Sequence, residues 1–94
     1  MDINEVILTK QVVKSLKIVP QHVVTKFHAW IDAIEHEGWL SVRKIPGYHD
    51  EPLKGDRKTQ RSIRLSKAYR AIYHILESGE VEIIEVLEIN KHRY

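Results

Sequence analysis

One apolar stripe constrains this chain more than any other feature. Val23, Phe27, Trp30, Ile31 and Ile34 recur at i, i+4, i+7, i+8 and i+11, a spacing that lines one face of an α-helix. So broad an apolar face requires a second layer to bury it. Pro20 stands at the entrance, where the first turn of a helix tolerates proline. Gly38 follows as a C-terminal stop. His28, Asp32 and His36 sit at four-residue intervals in the same segment. The outer two are about 12 Å apart along a helix axis, too far to share one metal ion, so they read as the solvated side. Before this helix, Ile3 to Leu8 is compatible with a strand. Thr9 occupies an N-cap position, with Val12, Val13 and Leu16 at helical spacing behind it. After it, Trp39, Leu40 and Val42 suggest one more short helical turn, closed by the turn dipeptide Pro46-Gly47.

The period then changes from helix to strand. Ser62 to Leu65, Tyr69 to Leu76 and Val81 to Ile89 are rich in β-branched and aromatic residues and read as three strands. Ser66-Lys67-Ala68 joins the first two, and Ser78-Gly79 joins the last two. Alternation turns Ile63 and Leu65 inward and Ser62 and Arg64 outward. Val81, Ile83, Leu87 and Ile89 make a second inward set, interrupted by Glu85. Phe27 and Trp30 are core residues, with Tyr69 and Tyr73 packed between sheet and helices. The expected fold is α+β, in the order β-α-α-β-β-β: a mainly antiparallel four-stranded sheet with two N-terminal helices packed on one face. The 94 residues are expected to form a single domain, 1–94. Without cysteine there is no disulfide framework, thiolate nucleophile or zinc ribbon. No apolar run approaches the ~20 residues that span a bilayer, so a cytoplasmic location without a membrane partner is expected.

Charge is concentrated where the strands begin. From Lys54 to Arg70 there are seven basic residues and one acidic residue, in a chain of net charge +2, so the remainder is net negative. A sheet covered by helices on one face leaves the other open, and alternation sends Arg64 and Arg70 to that open face. A cationic surface of this kind suits a polyanion, nucleic acid above all. Lys54, Arg57, Lys58, Arg61, Arg64 and Lys91 are the candidates for holding phosphates. Glu51, Arg70, His92 and Tyr94 are the candidates for chemistry. RNA is cut without a metal or other cofactor when its own 2′-hydroxyl attacks the adjacent phosphorus. That reaction needs a base, which Glu51 can supply, and an acid for the leaving oxygen, which His92 can supply. Arg70 offers a planar fork to the charged phosphorane, and Tyr94 a ring on which a base can stack.

These residues carry a resemblance. Asp-Glu-Pro-Leu-Lys at 50–54 is similar to the YoeB segment that holds a catalytic glutamate, and Leu-Lys-Gly-Asp-Arg at 53–57 is similar to HigB proteins. Tyr69-Arg70-Ala71-Ile72-Tyr73 resembles the core strand that carries the family's catalytic arginine. His92 falls where YoeB has its catalytic histidine, although Arg93 separates it from Tyr94. The chain thus resembles the RelE/ParE superfamily of toxins from type II toxin–antitoxin modules, and most of all the YoeB/HigB-type mRNA interferases. The resemblance implies a bacterial toxin that cleaves mRNA in the ribosomal A site and is neutralised by a cognate antitoxin. A ParE-like DNA gyrase inhibitor of the same fold, or a non-catalytic binding module, is the alternative. Glu51 and His92 have no purpose in a gyrase inhibitor.

Overall fold

The computed structural model describes residues 2–91, so His92 and Tyr94 lie outside the described residues. The chain runs β1 (Val6–Leu8), α1 (Lys10–Ser15), α2 (Gln21–Glu37), α3 (Trp39–Val42), β2 (Glu51–Pro52), β3 (Gln60–Arg64), β4 (Tyr69–Ser78) and β5 (Val81–Lys91). Single 3₁₀ turns occur at Pro46–Tyr48 and Gly55–Arg57. The apolar stripe is α2. Its Val23, Phe27, Trp30 and Ile34 are buried, and Ile31 packs beside them, half-buried. The Trp30 ring lies 5.3 Å from that of Tyr73 on β4 and 6.2 Å from that of Phe27, so helix and sheet meet through aromatic surfaces. Ile63, Leu65, Ala71, Ile84, Val86 and Ile89 complete the layer beneath them.

Helix α2 ends at Gly38, whose φ of +87° favours glycine. A Cβ there would also collide with the carboxylate of Asp2. That carboxylate accepts from the Leu40 N–H at 2.9 Å, which helps satisfy the first turn of α3 and holds the N-terminal segment against it. These backbone donors, Leu40 first, hold the Asp2 carboxyl below its usual range.

The sheet differs from the four-stranded one expected. Among the described residues it has five strands, in the order β1-β5-β4-β3-β2. The outer β1 runs parallel to β5, and the other pairings are antiparallel. The extra strand is the two-residue β2, too short to show any period in the sequence. Among the described residues there are three α-helices rather than two, because the short turn at 39–42 is a helix of its own.

The inward set of β5 also differs from expectation. Tyr73 pairs with Val86 while Ile72 pairs with Glu88, so Leu87 is an extra residue, a β-bulge. The bulge resets the alternation. Ile84 and Val86 point inward before it and Ile89 after it, while Val81 stays 53% exposed. Glu85 therefore does not interrupt an inward row; it belongs to the opposite face. The β4–β5 connection is Gly79-Glu80, one residue later than expected, since Ser78 pairs with Val81.

Thr9 ties the bulge to α1. Its hydroxyl accepts from the Val12 N–H at 3.3 Å, as an N-cap does, and donates to the Leu87 carbonyl at 3.0 Å. Thr9→Ala removes both bonds and is expected to lower unfolding free energy by about 1–2 kcal/mol. Thr9→Ser should retain most of it. Urea unfolding of the two variants beside the parent checks this.

Candidate nucleic-acid interface

Register assigns each strand residue to a face. On the face away from the helices, Glu51, Ser62, Ile72 and Glu88 form one row across β2, β3, β4 and β5. Two residues along, Arg64, Arg70 and Asn90 form the next row. Glu51 and Arg70 are thus two strands and two residues apart, about 12 Å between Cα atoms from strand spacing and rise. Long side chains can converge across that span on one phosphodiester. Arg64 and Arg70 are direct cross-strand partners, and like charges in that relation repel. Neither has a carboxylate partner among the described residues, so an anion between them would relieve the repulsion.

The remaining cations divide. Lys54 and Lys58 are exposed in the loop between β2 and β3. Arg57, in the same loop, reaches over the open face: its Nε donates to Gln60 Oε1 at 2.7 Å and its Nη2 to Glu88 Oε1 at 2.8 Å. Arg61 pairs across from Tyr73 and Lys91 from Tyr69, positions whose register belongs to the helix side. His92 and Tyr94 lie outside the described residues, so the acid and stacking roles expected of them have no geometry here.

Arg61 is engaged on the helix side. Its Nε donates to Asp50 Oδ1 at 2.6 Å, and the Asp50 side chain is fully shielded from solvent. The other carboxylate oxygen of Asp50 accepts from the Tyr73 hydroxyl at 2.5 Å, and that hydroxyl accepts from Trp39 Nε1 at 2.7 Å. The Trp39 ring carries Arg43 at 4.7 Å and Arg61 at 5.8 Å, within cation–π range. Burial, reinforced by the Asp50 charge, pushes the Tyr73 phenol well up, so it stays a donor. Burial works against the Arg61 charge, but the bond and charge of Asp50 outweigh it and the guanidinium is held more firmly protonated. His49, with φ of +46°, turns the chain into this network, and Glu51 follows Asp50 directly. The network therefore fixes the backbone that presents Glu51.

Two further carboxylates sit on the open face. Glu88 Oε1 also accepts from Asn90 Nδ2 at 2.8 Å. The Arg57 bond, helped by Asn90 and against partial burial, holds the Glu88 carboxyl below its usual range. Glu85 meets His74 Nε2 at 2.7 Å. Neither pair is evident from the sequence, because the bulge decides which β5 residues face outward. The position of Arg61, with the same parity as the buried Ile63, was the available sign of an inward-facing cation. Among the described residues no group of three or more His, Asp or Glu gathers as a metal site, and no helix is long and apolar enough to cross a membrane.

No protein-family profile and no curated protein sequence matches the chain. Solved structures do. The YoeB/ParE toxin from Agrobacterium tumefaciens is 21% identical, aligned over 95% of this chain and 99% of that one, with a TM-score of 0.69. RelE in the archaeal RelE–RelB complex from Pyrococcus horikoshii is 26% identical over 93% and 92%, with a TM-score of 0.67. YafQ from E. coli is 13% identical over 95% and 93%, with a TM-score of 0.71. The chain resembles toxins of the RelE/ParE superfamily, YoeB among them, and shares their mixed α+β fold.

A carboxyl with a lowered folded-state pKa adds stability that is complete above its unfolded value, about 4.3 for glutamate. That stability is lost as pH falls through the lowered value. Arg57→Ala should move the Glu88 pKa up toward the ordinary range, and the acid-side fall in stability should lose the Glu88 contribution. Carboxyl-carbon NMR titration of parent and variant checks both the direction and the assignment.

Proposed function

We propose that this protein is the toxin of a type II toxin–antitoxin system, and that it is a metal-independent endoribonuclease acting on mRNA at the ribosome. The observation that carries the proposal is the shared open face of Glu51 and Arg70, with Arg64 directly across from Arg70. That arrangement supplies a base and a phosphate fork on one surface, which a purely structural sheet face does not need.

In this reading Glu51 takes the proton of a 2′-hydroxyl, and the freed oxygen attacks the adjacent phosphorus. The bond to the 5′-oxygen breaks, leaving a 2′,3′-cyclic phosphate on one fragment. The departing 5′-oxygen takes its proton from His92. Arg70, with Arg64 beside it, stabilises the charge on the phosphorane, where a preorganised guanidinium acts most strongly. Tyr94 stacks on a base. Lys54, Arg57, Lys58 and Lys91 hold flanking phosphates, and Arg61 acts through Asp50 to present Glu51. The reaction needs no metal or other cofactor. Its partners are mRNA, the ribosomal A site and an antitoxin that covers the open face, as the RelB, DinJ and YefM complexes of similar toxins suggest. The bacterial cytoplasm is the compartment that suits these partners.

Brief induction in a bacterial cell, followed by primer extension, tests this. Cuts are expected in a translated transcript and absent from the same transcript without its start codon. Glu51→Gln and Arg70→Ala should each reduce cutting by about 100-fold or more. Growth arrest with intact mRNA would overturn the proposal and turn attention to DNA breaks from gyrase inhibition.

A further inference from the structure

The reading of the open face as a phosphate-binding surface leaves Glu88 unexplained, and the following rests on that reading. An acidic residue in the middle of a surface for RNA opposes binding by charge alone. Its contacts suggest a different role. Arg57 starts from the loop beyond β2, bonds Gln60 on β3 at 2.7 Å and bonds Glu88 on β5 at 2.8 Å. Because β4 lies between those strands, the guanidinium crosses β4 at the level of Ile72 and His74, the partners of Glu88 and Gln60. Ile72 is only 5% exposed and Ser62 only 2%, on a face no helix covers. The Arg57 side chain itself remains 44% exposed. Asn90, which also bonds Glu88 Oε1, is the cross-strand partner of Arg70. Arg57 is thus anchored at two points, its bond to Glu88 lying two residues along β4 from Arg70, with its side chain still partly open to solvent.

We propose that Glu88, braced by Asn90 and aided by Gln60, is a positioning residue that holds Arg57 across β4, so that a substrate phosphate at Arg70 meets a second guanidinium already in place. Glu88 does not touch the substrate. An untethered arginine loses rotamer freedom when it grips a phosphate, whereas the tethered one has lost it beforehand.

The sign of the effect separates positioning from charge. Removing a carboxylate from a polyanion site strengthens binding if only charge matters; losing the tether weakens it. The probe is a labelled single-stranded RNA with 2′-O-methyl groups, which cannot be cut, followed by fluorescence anisotropy. Glu88→Ala is expected to weaken binding about three- to tenfold, the cost of ordering one long side chain. Glu88→Gln has the same charge change but keeps an acceptor for Arg57, and should restore much of the loss. In an Arg57→Ala background, Glu88→Ala should cause no further weakening. The proposal is overturned if both Glu88 variants bind as the parent does or tighter, or if Glu88→Gln binds as weakly as Glu88→Ala. It is equally overturned if the Glu88→Ala loss persists without Arg57, which would mean a structural role. Arg70→Ala in the same assay reports on the underlying reading: parent-like binding by that variant sinks the phosphate-binding face, whatever Glu88 does.

Discussion

The Tyr73 side chain joins the core to the candidate site. Its ring packs against Trp30 in the layer between α2 and the sheet, and its hydroxyl bonds the shielded carboxylate of Asp50. A buried carboxylate is costly unless it is paired and hydrogen-bonded. Asp50 has both Arg61 and Tyr73, and Trp39 completes the hydroxyl's bonding. Removing any one of these groups would leave a buried polar partner unsatisfied. The network therefore specifies where the chain enters β2, and with it the position of Glu51, one residue on.

A second constraint is one-sided burial. Helices cover one face of the sheet, and β-alternation sends Arg64, Arg70, Glu88 and Asn90 to the other, while Arg61 and Lys91 fall on the helix side. The outcome is a surface where Arg64 and Arg70 repel each other and where Arg57 is neutralised by Glu88. The same face also carries the carboxylates of Glu51, Glu85 and Glu88, so its charge is mixed, with Arg64 and Arg70 as the pair that faces no carboxylate among the described residues. The proposed polyanion would lie between Arg64 and Arg70, where it would relieve their repulsion. The loop from Leu53 to Thr59 adds Lys54 and Lys58 at its edge, and its link to the sheet is the Arg57 clasp together with the Leu53 N–H bond to the Gln60 carbonyl.

Much of the scaffold was legible in the sequence because it follows from local rules. The stripe of α2, the stop at Gly38, the cap at Thr9 and the strands of the β4–β5 hairpin are each set by neighbours within a few residues. The inward-facing Ile63 and Leu65, with Arg64 turned out, came from alternation alone. What could not be read depends on partners far apart in sequence. Strand β2 exists only because Glu51 and Pro52 find Ser62 and Arg61. The bulge at Leu87 has no local signature; it turns Val81 and Ile83, expected inward, to the other face and brings Ile84 and Val86 inward. Arg61 was grouped with the phosphate-binding cations because it lies in a basic run. Its tie to Asp50 appears only when the loop, α3 and β4 are folded together. Glu88 was passed over for the same reason, since its face is decided by the bulge.

RNA is proposed to bind the sheet face away from the helices. Methyl-resolved NMR during titration with uncuttable single-stranded RNA tests it most directly, because isoleucines mark both faces. Ile72, between Ser62 and Glu88 on the open face, is expected to shift with RNA while Ile63 and Ile84, beneath the helices, stay in place. Shifts confined to residues on the helices, or none at Ile72 under saturating RNA, would contradict it.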